Sequence, residues 1–92
     1  MDLAHLQDVL RRTYAAADNA RGVPATVAWI TEEIGELAQA VRKGSRDQQI
    51  HEIGDVLAWV LSLANQLDIE VVDAMTRFAK GCPTCGQLPC DC

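Results

Sequence analysis

Several things are scarce in this sequence, and each shortage excludes something. Basic residues are few: 8 Lys and Arg stand against 13 Asp and Glu, a formal net charge of −5. That balance argues against polymeric nucleic acid, which needs a basic face, and against docking on anionic membranes. Long apolar runs are missing. The longest uncharged apolar stretch, Val56 to Ala64, is far too short to span a bilayer. Met1 to Leu10 carries Asp2, His5 and Asp8 and lacks the apolar run of a signal peptide, so a cytoplasmic location is expected. No stretch alternates polar with β-branched residues, so no strand is expected. There is no internal repeat and no low-complexity linker. Aromatics are limited to two Trp, one Tyr and one Phe, yet 49% of the residues are apolar, a globular composition. A single compact domain is expected of 92 residues. So short a chain buries only roughly 60–65% of its unfolded surface, so help from a metal or from oligomerisation is expected.

What is present reads as helices. Leu3, Leu6, Leu10 and Tyr14 recur at helical spacing and predict a first helix over Asp2 to Asn19, broken at Gly22. Pro24 suits the first turn of a second helix. Val27, Ile30, Ile34, Leu37 and Val41 give that helix one apolar stripe, and Arg42 and Lys43 suit its C-terminus before Gly44. Ser45, as N-cap, and Gln48 fit a capping box for a third helix, whose apolar positions begin at Ile50 and which ends near Leu67, with Asp68 at the break. A fourth helix starts near Glu70, uses Val71, Met75, Phe78 and Ala79, and ends at Gly81. The expected fold is all-α: a four-helix protomer over residues 1–80, its bundle completed by oligomerisation, and a short Cys-rich tail over 81–92. Apolar residues on more than one side of the third helix (Val60, Leu61, Leu63) predict a homodimer or higher homo-oligomer.

Two acidic clusters carry the chemical information. Glu32-Glu33-Ile34-Gly35-Glu36 lies on the second helix and Glu52-Ile53-Gly54-Asp55 on the third. Steps of three and four residues keep side chains on one helical face. The short turn at Gly44 predicts antiparallel packing, with Glu36 eight residues before it and Glu52 eight after, so the clusters should meet at one height. Carboxylates that converge repel one another unless they are protonated or metal-bound. Hard oxygen ligands without His or Cys point to Mg²⁺, with Mn²⁺ as the alternative. A solvated acidic face is the blander reading, but no Lys or Arg is interleaved from Glu32 to Val41. Gly35 and Gly54 each cost roughly 1 kcal/mol in a helix interior, which suggests close helix approach or room for a ligand.

The order Glu-Glu-x-x-Glu, spacer, Glu-x-x-Asp resembles the all-α nucleoside triphosphate pyrophosphohydrolases of the MazG-like family. "EEIGELAQAVRKG" and "EIGDVLAWVLSLANQLDIE" resemble the family's two central helices, and the resemblance covers roughly residues 24 to 80. It implies that residues 1–80 form a pyrophosphohydrolase domain. It further implies Mg²⁺-dependent cleavage between the α- and β-phosphates of a nucleoside triphosphate, giving a nucleoside monophosphate and pyrophosphate. By position, Glu33, Glu36, Glu52 and Asp55 would hold Mg²⁺ and Glu32 would orient or deprotonate the attacking water. Asn65 matches a family Asn that contacts nucleotide or caps a turn. After Phe78 the likeness weakens, leaving Arg77 and Lys80 as candidate phosphate contacts. Phosphoribosyl-ATP pyrophosphohydrolase is an alternative within the same class. A non-enzymatic helical dimerisation module with a zinc-binding tail is the alternative outside it.

Trp29 and Trp59 each lie one turn from an acidic pair and could stack on a base; packing in a core or interface is the competing role. Lys43 and Arg46 flank the turn, as phosphate contacts or as solvated residues, and His51 is expected on the surface. Cys82-Pro83-Thr84-Cys85-Gly86 followed by Cys90-Asp91-Cys92 has the shape of a zinc knuckle. Zinc is the first expectation for these four Cys, with a reducible disulfide or free thiols as alternatives.

Overall fold

The computed structural model describes residues 1–92 and is all-α. Helices α1 (Leu3–Arg21), α2 (Val23–Lys43) and α3 (Arg46–Gln66) are long, α4 (Val71–Met75) is short, and a 3-10 turn covers Thr76–Phe78. No strand is present. Each junction follows from local chemistry. The Asp2 carboxylate accepts the His5 N–H at 2.7 Å and starts α1. Gly22, at φ 86°, turns the chain directly into α2, with a proline in the first turn. At Gly44 a Cβ would lie 2.8 Å from the Ala40 Cα and carbonyl oxygen, so only glycine lets the chain leave α2 this closely. The Ser45 and Gln48 side chains then complete the expected capping box, at 3.2 and 2.7 Å.

After Leu67, Asp68 adopts φ 55° in place of glycine. The Ile69 N–H reaches the Ala64 carbonyl at 2.9 Å and the Asp68 N–H reaches that of Asn65 at 3.2 Å, the pairing of a Schellman end. Two sequence expectations need correction here. Helix α1 continues to Arg21 rather than Asn19, because Arg21 is held by Asp18 at 2.9 Å and by the Thr26 hydroxyl at 2.8 Å. The fourth helix is not one piece to Ala79. It is five residues of α-helix and then 3-10: Val71, Val72 and Thr76 are β-branched and lower helix propensity, and no residue of the segment is fully buried against its neighbours.

Helix α3 is the central element: α2 packs along it most extensively and α1 next. Gln7 of α1 ties the junction together. Its amide nitrogen donates to the Asn65 side chain at 3.0 Å and to the Ile69 carbonyl at 2.8 Å, and its amide oxygen accepts the Val71 N–H at 2.9 Å. Buried polar groups satisfied in this way fix one register of α1 on α3.

The apolar stripe expected on α2 is split. Its inward line is Thr26, Glu33 and Ala40, with Ile30 and Leu37 half-buried. Val27, Ile34 and Val41 face outward at 47, 52 and 62% exposure, and Ile50, Ile53, Leu57 and Val60 of α3 are exposed as well. Only eight residues are buried, three of them apolar (Ala40, Leu61 and Ala64), so the chain encloses only a small apolar core. The radius of gyration, 15.3 Å, exceeds the about 12 Å of a compact chain this long. No helix is long and apolar enough to cross a membrane.

Candidate metal centre

The antiparallel pairing of α2 and α3 brings Glu33, Glu36 and Glu52 together: one carboxylate oxygen from each lies within 4.8 Å of the others. Glu33 is buried on the inner line of α2, Glu52 and Asp55 are half-buried on α3, and Glu36 and Glu32 are exposed. No Lys or Arg pairs with any of the five. One Glu33 oxygen and one Glu52 oxygen are buried with no hydrogen-bond partner. Burial, with Glu36, Asp55 and Glu52 adding negative charge, pushes the Glu33 carboxyl above its usual 4.5. Orphaned buried oxygens beside a convergent acidic set are what a hard divalent cation would satisfy, so the donors present fit Mg²⁺.

Asp55 stands at the edge of this set. Its oxygen lies near those of Glu52 and His51, and its carboxylate is 3.2 Å from the His51 Nε2. His51 is exposed as expected, but the four-residue spacing to Asp55 is a partnership that sequence reasoning passed over. Gly35 and Gly54 do not mark a close approach within the protomer: a Cβ at either would meet nothing within 4 Å.

Two concavities flank the cluster, each of about 410 Å³. One lies between α1 and α3, bounded by Tyr14, Asp18, Arg21, Asp55 and Trp59. Sequence reasoning missed Asp18 and Arg21, whose three-residue spacing at the end of a helix was the available signal. Arg21 stacks 4.6 Å from the centre of the Trp59 ring, and the buried Asp18 keeps one oxygen without a partner. The other concavity lies at the hairpin end and brings Lys43 into the same lining as Glu36 and Glu52.

Trp29 and Trp59 stack on each other, ring centres 5.8 Å apart and planes at 8°. Asn65 engages Gln7 with both ends of its amide, accepting at 3.0 Å and donating to the Gln7 carbonyl at 3.2 Å. Arg77 lies over the Phe78 ring at 4.8 Å. Lys80 and Arg46 are exposed and form no ion pair.

Comparison with known proteins decides the family. The model of the MazG nucleotide pyrophosphohydrolase domain matches residues 21–82. The chain belongs to this family. An uncharacterized protein of Bacillus subtilis (strain 168), YpjD, is 41% identical over 63 residues. The match covers 58% of this chain and 57% of that relative. The MazG match contains α2, α3 and all five acidic residues, whereas nearly all of α1 and three of the four tail cysteines lie outside it.

The tail gathers Cys82, Cys85, Cys90 and Cys92, all free, with their sulfurs within 4.8 Å of one another. The backbone N–H groups of Cys85 and Thr84 hold the Cys82 thiol down to about 6. Those of Asp91 and Gln87 lower Cys85, while Cys90 and Cys82 push Cys92 up.

Proposed function

We propose that this MazG domain hydrolyses nucleoside triphosphates between the α- and β-phosphates, releasing a nucleoside monophosphate and pyrophosphate. The observation that carries the reading is the convergence of Glu33, Glu36 and Glu52 with two buried oxygens left unpartnered. Glu33, Glu36 and Glu52 would hold Mg²⁺, or Mn²⁺ in its place, with Asp55 completing the set. A bound divalent ion supplies positive charge that offsets the triphosphate and stabilises the pyrophosphate leaving group.

The remaining work falls to the chain. Exposed Glu32, one residue from the buried ligand Glu33, orients the attacking water and accepts its proton. Lys43, in the concavity with Glu36 and Glu52, offsets phosphate charge, and Lys80 is a second cation for the phosphates. The base enters between α1 and α3, where Trp59 and Arg21 present flat surfaces; Trp29 supports Trp59 from its side. Asn65 acts through Gln7, keeping α1 in place against that cavity. The outward Val27, Ile34, Ile50 and Leu57 are covered by a second protomer, which makes the working form a homodimer or larger homo-oligomer. Sedimentation should find no stable folded monomer at micromolar concentration, and a stable monomer would remove the oligomer from this reading.

The test of the reaction is a panel of ribo- and deoxyribonucleoside triphosphates with Mg²⁺, scoring pyrophosphate against orthophosphate. Pyrophosphate from at least one nucleotide, abolished by EDTA, is expected. Orthophosphate as the inorganic product, or no turnover of any nucleotide, overturns the reading.

A further inference from the structure

The tail beyond the 3-10 turn contains no helix and no strand, yet it is tightly organised. The Cys82 N–H donates to the Gln87 carbonyl at 2.9 Å and the Gly86 N–H to the Cys82 carbonyl at 2.7 Å, closing a small loop. Gly86 takes φ 74° in that loop. At Gly81, φ 122°, a Cβ would lie 2.7 Å from the Gln87 carbonyl oxygen, so a side chain there would block the same closure. No apolar core explains the order: the tail's large apolar side chain, Leu88, is 84% exposed. What sits at the centre is sulfur. Sγ–Sγ separations are 3.3 Å (Cys90–Cys92), 3.7 Å (Cys82–Cys92) and 4.0 Å (Cys85–Cys90), and the Asp91 N–H donates to the Cys85 sulfur at 3.3 Å.

We propose that Cys82, Cys85, Cys90 and Cys92 hold one Zn²⁺ within a single chain, as a closed tetrahedral site that organises residues 81–92. Zn–S bonds of about 2.3 Å at tetrahedral angles place the sulfurs about 3.8 Å apart, and the three separations straddle that value. Four protein ligands leave no open position, so the site is structural rather than catalytic. An iron–sulfur cluster is the other common occupant of four Cys, but its inorganic core would hold the sulfurs much farther apart. The site is chemically distinct from the carboxylate centre: soft sulfur against hard oxygen, on a loop rather than on helices. Zinc binding displaces the thiol protons to solvent, and the resulting Zn(Cys)₄ unit carries two net negative charges. It does not depend on the proposed hydrolysis.

The test is metal analysis of the full chain purified without chelator. One Zn²⁺ per chain is expected. Cys85→Ser and Cys92→Ser should each lower the zinc content at least tenfold, while Glu52→Gln keeps it. Co²⁺ exchanged into the parent should give the intense visible absorption of tetrahedral thiolate coordination, and far-ultraviolet circular dichroism should show the helices unchanged in the serine variants. Zinc below a tenth of the chain concentration, iron in its place, one zinc per two chains, or zinc retained by both serine variants would each overturn the proposal. So would loss of zinc in Glu52→Gln, because the metal would then belong to the carboxylates.

Discussion

The acidic cluster and the cysteine cluster gather ligand atoms by opposite routes. Glu33, Glu36 and Glu52 come from two helices held by a capping box, a tight glycine exit and a long antiparallel contact. The thiols come from eleven residues of loop with no regular structure of their own. The helical scaffold can therefore hold like charges in proximity at a cost to its own stability, with one carboxyl buried and its proton held more tightly. The loop tolerates no such cost, because little besides its own backbone bonds and its ligand would order it. The family match follows the same division, taking in all five residues of the acidic cluster and stopping at Cys82. A reactive centre belongs on the rigid element and a closed, ordering site on the flexible one.

The largest effect should come from separating the two centres. Glu36→Gln or Glu52→Gln should lower pyrophosphate release by more than about 100-fold, beyond the 10–100-fold typical of residues that only support a metal ligand. Removing zinc from the tail and restoring Mg²⁺ should leave turnover within about twofold, since the two donor sets share no residue. A comparable loss from both treatments would mean that the centres are one functional unit.

A smaller effect sharpens what lies beside the acidic centre. If the Trp59 ring is a stacking surface for a base, Trp59→Ala should raise KM by about 5- to 150-fold, the equivalent of ~1–3 kcal/mol of base stacking. Trp29→Ala should raise it less, because Trp29 acts by supporting Trp59 through their parallel stack. Equal KM values in folded variants would return both rings to a packing role.

The smallest effect tests the electrostatic cost itself. In metal-free protein the Glu33 proton is bound more tightly when folded than when unfolded. The associated stability is present below the usual carboxyl value of 4.5 and is lost as pH rises through the raised folded value. With EDTA present, Tm should therefore fall as the pH rises from the usual carboxyl value of 4.5 through the raised folded value. Glu33→Gln should flatten that fall and raise Tm at neutral pH by a few degrees. An identical pH profile in parent and variant would show that burial of Glu33 carries no such cost.

Much of this was legible from residue spacing. Gly22, Gly44, Ser45 with Gln48, and Asp68 each mark a junction by local chemistry, and local chemistry is what a sequence displays. Equal distances of Glu36 and Glu52 from Gly44 anticipated their meeting, because a short helical hairpin leaves little freedom of register. The missed features depend on tertiary partners. Arg21 gains its role from Asp18, Thr26 and Trp59, which lie on three helices. Asn65 is engaged by Gln7, 58 residues away in sequence. The stripe on α2 misled for a related reason: Val27, Ile34 and Val41 are apolar but outward, since the line facing α3 is taken by Thr26, Glu33 and Ala40.

In the proposed function, the α2–α3 carboxylates form a metal centre for cleavage between the α- and β-phosphates. Its most direct test is the product balance from one accepted nucleoside triphosphate, with Mg²⁺ varied and Glu36→Gln run beside the parent. Equal amounts of nucleoside monophosphate and pyrophosphate are expected from the parent, none without Mg²⁺, and near-complete loss in the variant. Nucleoside diphosphate with orthophosphate, or undiminished pyrophosphate release from Glu36→Gln, would contradict it.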